Sequence, residues 1–93
     1  MFEPPTQLVD WCCALEAVDA ERNIARAYHI YASQDLFGHV IVALRWGRIG
    51  RTHSSITVSF SNEVAARKFI EHTLGKRASA PRRIGIAYNL VND

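Results

Sequence analysis

The densest cluster of chemistry-bearing side chains is Arg45-Trp46-Gly47-Arg48-Ile49-Gly50-Arg51. An indole set among three guanidiniums suits a ligand that offers a flat or sugar face together with negative charge. Stacking of an aromatic side chain on nucleic acid contributes about 1–3 kcal/mol per base. Arginine presents paired donors to phosphate oxygens, which lysine does not. Gly47 would let a phosphate or sugar approach the backbone. None of these groups reads base edges, so such contacts position a nucleic acid without specifying its sequence. The same residues have a plainer reading. Trp46 would then cap the core with its indole N–H bonded to a carbonyl, and Arg48 would form a surface ion pair with Asp35 or Glu16.

Nothing in the rest of the chain is spaced for catalysis. There is no nucleophile elbow, no phosphate loop and no pair of carboxylates at a plausible site, so an enzyme is not expected. His29, His39, His53 and His72 show no metal-ligand spacing with one another or with the cysteines, and no metal or cofactor is expected. Cys12 and Cys13 are adjacent, which would strain a bridge between them. They read as one buried and one exposed free thiol in a reducing compartment. His29 and His53 are expected on the surface of a sheet.

Length and composition fit one domain, expected over residues 11–93 behind a loose, proline-marked arm at 1–10. Apolar content of 48% and charged content of 22% are ordinary for a soluble globular protein. No apolar run is long enough to span a membrane, and the first residues show no secretory signal. A cytoplasmic place is expected, nucleoid-associated if DNA is the ligand. The formal net charge is only +2, but its distribution is uneven. Residues 1–44 carry six acids and two bases, whereas residues 45–93 carry nine bases and three acids. A basic face in the second half, including Lys76, Arg77, Arg82 and Arg83, would attract an anionic partner.

The elements that must position these residues follow from hydrophobic periodicity. Trp11 to Val18 reads as a strand, with a helix as the alternative. Ala25 to Ser33 and Val40 to Trp46 alternate as strands around a turn at residues 34–38, the second of them central in its sheet. Arg51 to Phe60 alternates cleanly, with Ile56, Val58 and Phe60 on one face. A helix is expected from about Asn62 to Leu74, capped by Ser61 and stopped by Gly75. Its apolar stripe would be Ala65, Ala66, Phe69, Ile70 and Leu74. Lys76 to Arg83 reads as a basic loop, and Ile84 to Val91 as a last strand. The expected class is α+β, a mostly antiparallel twisted sheet of about five strands with one amphipathic helix on one face, in the order β-β-β-β-α-β.

The run Val42-Ala43-Leu44-Arg45-Trp46-Gly47-Arg48-Ile49-Gly50, closing an apolar strand between a hairpin and an amphipathic helix, resembles the WGR family. That family is known from the poly(ADP-ribose) polymerases and from bacterial proteins in which it stands alone. The resemblance covers roughly residues 11–90. It implies a non-catalytic module that recognises DNA ends, nicks or breaks. Trp46 would pack on the sugar of a terminal nucleotide, Arg48 would be its polar partner, and Arg26 with Asn23 would hold the phosphate side. Arg45 and Arg51 would add neutralisation of phosphate. The chain departs from the family at Ala27, where an aromatic is common, and it carries no transferase domain. The alternative function is an accessory module with little DNA affinity, docking a separate DNA-repair or regulatory protein through an exposed edge such as the first or last strand. The expected state is a monomer or weak homodimer.

Overall fold

A computed structural model describes residues 2–91. Met1, at the start of the expected arm, and Asn92 and Asp93, at the end of the expected domain, lie outside the described residues. Four strands follow in succession: β1 (Trp11–Asp19), β2 (Ile24–Gln34), β3 (Val40–Arg48) and β4 (Ser54–Phe60). They are followed by α1 (Glu63–Ala78), a short α2 (Ala80–Ile84) and β5 (Asn89–Leu90). All pairings are antiparallel, and the strand order across the sheet is β4-β3-β2-β1-β5. The α+β class and the element order are those expected from the periodicity, with β3 internal.

Because residues directly opposite one another share a face, the register assigns each side chain to a layer. Leu15, Tyr28, Trp46 and Ser54 fall in one row, and Cys13, Ile30, Leu44 and Ile56 in the next row of the same face. That face, with Ala17, Ile30, Ala32, Val40 and Val42, packs against Ala66, Ile70 and Leu74 of α1. Burial of each large aliphatic side chain contributes about 1.5–3 kcal/mol. The opposite face carries Cys12, His29, Tyr31, Arg45 and Thr57 and has no helix over it. The β2–β3 hairpin closes on Asp35, whose Oδ1 accepts from the backbone N–H groups of Phe37 and His39, each at 2.9 Å. Residues 2–10 form no helix or strand. Leu8 is nevertheless fully buried, and Arg67 on α1 donates to the carbonyls of Pro5 and Thr6.

Several boundaries differ from expectation for identifiable reasons. The N-cap of α1 is Asn62, not Ser61: Asn62 Oδ1 accepts from the Ala65 N–H at 3.0 Å. Gly75 does not stop the helix, which runs on to Ala78 and is closed by Ser79. An interior glycine costs only about 1 kcal/mol, and the final turn is secured by the Ser79 N–H bonding to the Gly75 carbonyl. Thr73 is buried on the inner face, whereas Ala65 is exposed. The basic stretch 76–83 is helical for most of its length rather than a loop. Pro81 sits in the first turn of α2, where its missing N–H has no intrahelical acceptor. The last strand contracts to two residues, and β4 begins at Ser54 rather than Arg51. Cys12 is exposed and Cys13 half-buried, both as free thiols.

Candidate nucleic-acid interface

The helix covers the inner face of the sheet only part of the way along β3. Beyond Leu44 the strand emerges, and Trp46 stands on the same face with 37% of its surface exposed. It does not cap the core in isolation. Its ring stacks on that of Tyr28, directly across the β2–β3 ladder, with centroids 6.2 Å apart and planes 20° from parallel. Arg77, from the last turn of α1, lies 4.3 Å from the Tyr28 ring centroid and 5.8 Å from that of Tyr88. Burial pushes the Tyr28 phenol pKa upward, against the opposing pull of the Arg77 charge. The result is a ladder of Trp46, Tyr28, Arg77 and Tyr88 assembled from β3, β2, α1 and the residue that precedes β5.

This ladder floors a groove of about 410 Å³, lined also by Asn23, Arg26, Gly47 and Arg48. That volume lies in the range of small-ligand sites. Among the described residues no carboxylate lines it. Arg26 and Arg48 are direct cross-strand partners, an arrangement of like charges that is destabilising by itself. Among the described residues none of Arg26, Arg48 and Arg77 forms a salt bridge. The Nε of Arg77 is buried with no hydrogen-bond partner. The groove therefore concentrates positive charge that the chain leaves uncompensated there.

Arg48 does not pair with Asp35 or Glu16. It donates from Nη1 to the Asn23 carbonyl at 3.0 Å and from Nη2 to Asn23 Oδ1 at 2.8 Å. Asn23 adopts the left-handed conformation (φ 56°) that ends the β1–β2 turn, a state asparagine tolerates better than most residues. Two of the five guanidinium donors thus tie β3 to that turn. Gly47 is constrained by packing as well as by its place at the groove. A Cβ there would lie 2.9 Å from His53 Cδ2 and 3.3 Å from His53 Cα. The space belongs to the His53 ring on the outer face, where Nε2 lies 3.2 Å from the Arg48 carbonyl and the ring faces His29 at 6.0 Å. Ala27, opposite Gly47, is buried on the same side, which leaves no room for a large aromatic there.

Of the residues singled out by sequence, Asn23, Arg26, Trp46, Gly47 and Arg48 meet around one groove. Arg45 and Arg51 do not. Arg45 pairs with His29 on the outer face, one residue and hence one face away from Trp46. Arg51 lies exposed in the turn after β3, its N–H bonded to the Arg48 carbonyl at 3.0 Å. Tyr28 and Tyr88 were not singled out as site residues, and Arg77 entered only as one charge of the basic face. Tyr28 was within reach of the sequence, since a hairpin turning at 35–39 sets it opposite Trp46. The basic stretch around Arg77 signalled charge, but nothing local placed Arg77 beside Tyr28.

An open antiparallel sheet with a helix on one face, and an arginine-flanked tryptophan at the end of an inner strand, defines a small binding module. The family model for the WGR domain matches residues 11–80, and the chain belongs to that family, one of nucleic-acid-binding modules. Among curated proteins the chain is similar to y4dW of Sinorhizobium fredii (strain NBRC 101917 / NGR234), described as uncharacterized. The two are 34% identical over 64 residues, covering 68% of this chain and 31% of that protein. The chain thus spans about a third of the relative's length. No solved structure matches the chain. None of the helices among the described residues is long and apolar enough to cross a membrane.

Proposed function

We propose that this chain binds DNA at ends, nicks or breaks, without base-sequence specificity and without chemistry of its own, through the groove between Trp46 and Arg77. The observation that carries this reading is the exposed Trp46 indole, backed by Tyr28, in a groove that the described residues line with three arginines and no carboxylate. A terminal nucleotide exposes a base and sugar face that an internal one hides. Trp46 would cover that face, and Arg26, Arg48 and Arg77 would receive the adjoining phosphates. Exclusion of acidic side chains matches a polyanion, and backbone contacts account for indifference to sequence.

The test is binding of linear, nicked and covalently closed circular duplex, by anisotropy or gel shift across a salt series. Wild type should prefer linear or nicked DNA and lose affinity steeply with salt. Trp46→Ala should remove the preference while leaving a salt-dependent remainder. Equal losses on all three substrates would refute end recognition. Absence of DNA affinity at moderate salt would instead favour an accessory module that docks a protein of DNA repair.

A further inference from the structure

We propose that β4 is a homodimerisation edge, on which two copies of this chain pair antiparallel about Thr57 to make one continuous ten-stranded sheet. The inference is independent of the nucleic-acid reading. Strand order leaves β4 as the long free edge; β5, at the other end, is two residues long and covers only part of β1. The first strand, which the sequence offered with the last as a docking edge, is thereby partly covered. β4 reads Ser54-Ser55-Ile56-Thr57-Val58-Ser59-Phe60, with no charge, proline or glycine, and its register with β3 is unbroken by any bulge. Soluble proteins ordinarily block such an edge with lysine, proline, a bulge or a covering element. Here Ile56 remains 46% exposed.

The occupant that fits is a second copy, because the strand is complementary to itself in reverse. With Thr57 on the two-fold axis, Ile56 faces Val58 of the second copy, Ser55 faces Ser59, and Thr57 faces its counterpart. Aliphatic groups then meet on the face that carries α1, and hydroxyls meet on the bare face, both favourable cross-strand combinations. The nearest Arg, Lys, Asp or Glu residues on either side are Arg51 and Glu63, each six positions from Thr57 and both exposed. Antiparallel pairing brings the positive flank of one copy towards the negative flank of the other. Strand pairing alone buries less than a standard interface, so the dimer should be weak and concentration-dependent. Ile56 also borders the hollow formed with Tyr28, Leu44, Trp46 and Arg77. The joint therefore adjoins the groove, and a dimer would carry two grooves on one rigid sheet.

Sedimentation velocity or light scattering of the full chain over micromolar to millimolar concentration tests this. Wild type should pass from monomer to dimer. Thr57→Lys, at an exposed position, should move the midpoint about fivefold or more toward higher concentration by setting like charges opposite each other, with an unchanged far-UV spectrum. Thr57→Cys should yield a disulfide between the two introduced thiols under mild oxidation, identified by peptide mapping against the native Cys12 and Cys13. A wild type that stays monomeric throughout the range would overturn the proposal. So would a dimer that ignores Thr57→Lys, or introduced thiols that link only to Cys12 or Cys13.

Discussion

Tyr28 and Trp46 face each other across the β2–β3 ladder with their rings nearly parallel, yet only one of them is core. Tyr28 is 8% exposed and Trp46 is 37% exposed. One side chain thus holds the other's face in place while belonging to the hydrophobic interior. The two should therefore separate stability from binding. Tyr28→Ala should cost about 3 kcal/mol of folding stability, the scale of aromatic truncation in a core. Trp46→Ala should cost about 1 kcal/mol, the value of an aromatic pair, but should weaken DNA-end binding by about 1–3 kcal/mol. Urea melts and anisotropy on the same two variants measure the split. Equal destabilisation by both would mean that Trp46 is an ordinary core residue.

Arg26 and Arg48 present the opposite bargain. Placed directly across from each other, with no acid among the described residues that line the groove, they repel in the free protein. Arg26→Gln should relieve this and raise stability by about 0.2–1 kcal/mol at low salt. It should also remove one phosphate contact, weakening DNA binding and reducing the slope of log K against log salt by about one. A variant that is neither more stable nor less salt-dependent would show that Arg26 acts in neither way.

The middle strands were legible because alternation survives in them, from Tyr28, Ile30 and Ala32 to Ile56, Val58 and Phe60, whereas Trp11 to Val18 alternates poorly and left a helix open, and the last strand contracts to two residues. The boundaries that shifted are places where neighbouring residues compete for one role. Ser61 and Asn62 are both competent caps, and only backbone geometry selects Asn62. Pro81 punctuates the sequence as a breaker, but it is harmless in the first turn of α2. The separation of Arg45 from Trp46 was available from the two-residue strand period alone. Arg77 was not: it reaches the groove because α1 outlasts Gly75 and delivers its last turn over Tyr28, a matter of helix length and packing that no local motif encodes.

The β1–β2 turn should give the fold an acid-sensitive fastening. Hydrogen bonding from the Arg22 side chain, at 2.9 Å, is the leading cause holding the Asp19 carboxyl below its usual pKa. Arg22 in turn donates to the Ile84 carbonyl, linking the turn to the end of α2. The folded pKa is lower than the unfolded value of about 3.9. The contribution is therefore complete above that value and is lost as pH falls through the folded pKa. Asp35 shifts in the same direction: desolvation is its largest single influence and acts upward, but the His39 and Phe37 N–H bonds and the His39 charge together outweigh it. Thermal melts should decline below about pH 4, and Asp19→Asn should be less stable at pH 7 and show a shallower acid decline. An identical acid limb in wild type and Asp19→Asn would remove Asp19 from the account.

Gly47 offers the sharpest test of how the tryptophan turn is held. If glycine is needed so that a ligand can reach the backbone, Gly47→Ala should harm binding and leave stability alone. The geometry requires the reverse order of effects. The added methyl would meet His53 Cδ2 at 2.9 Å, and the residue lies at φ +157°, a conformation L side chains rarely adopt. Gly47→Ala should therefore destabilise by about 1–3 kcal/mol, the scale of overpacking or local backbone strain. His53→Ala removes the ring that fills the space, together with its contact to the Arg48 carbonyl. In the His53→Ala background the further cost of Gly47→Ala should shrink but not vanish, because the His53 Cα would still lie 3.3 Å from the new methyl and the backbone strain would remain. Denaturant melts of the four proteins in this cycle give the coupling directly. Strict additivity would show that His53 does not occupy the space, and would return Gly47 to a role in admitting the ligand.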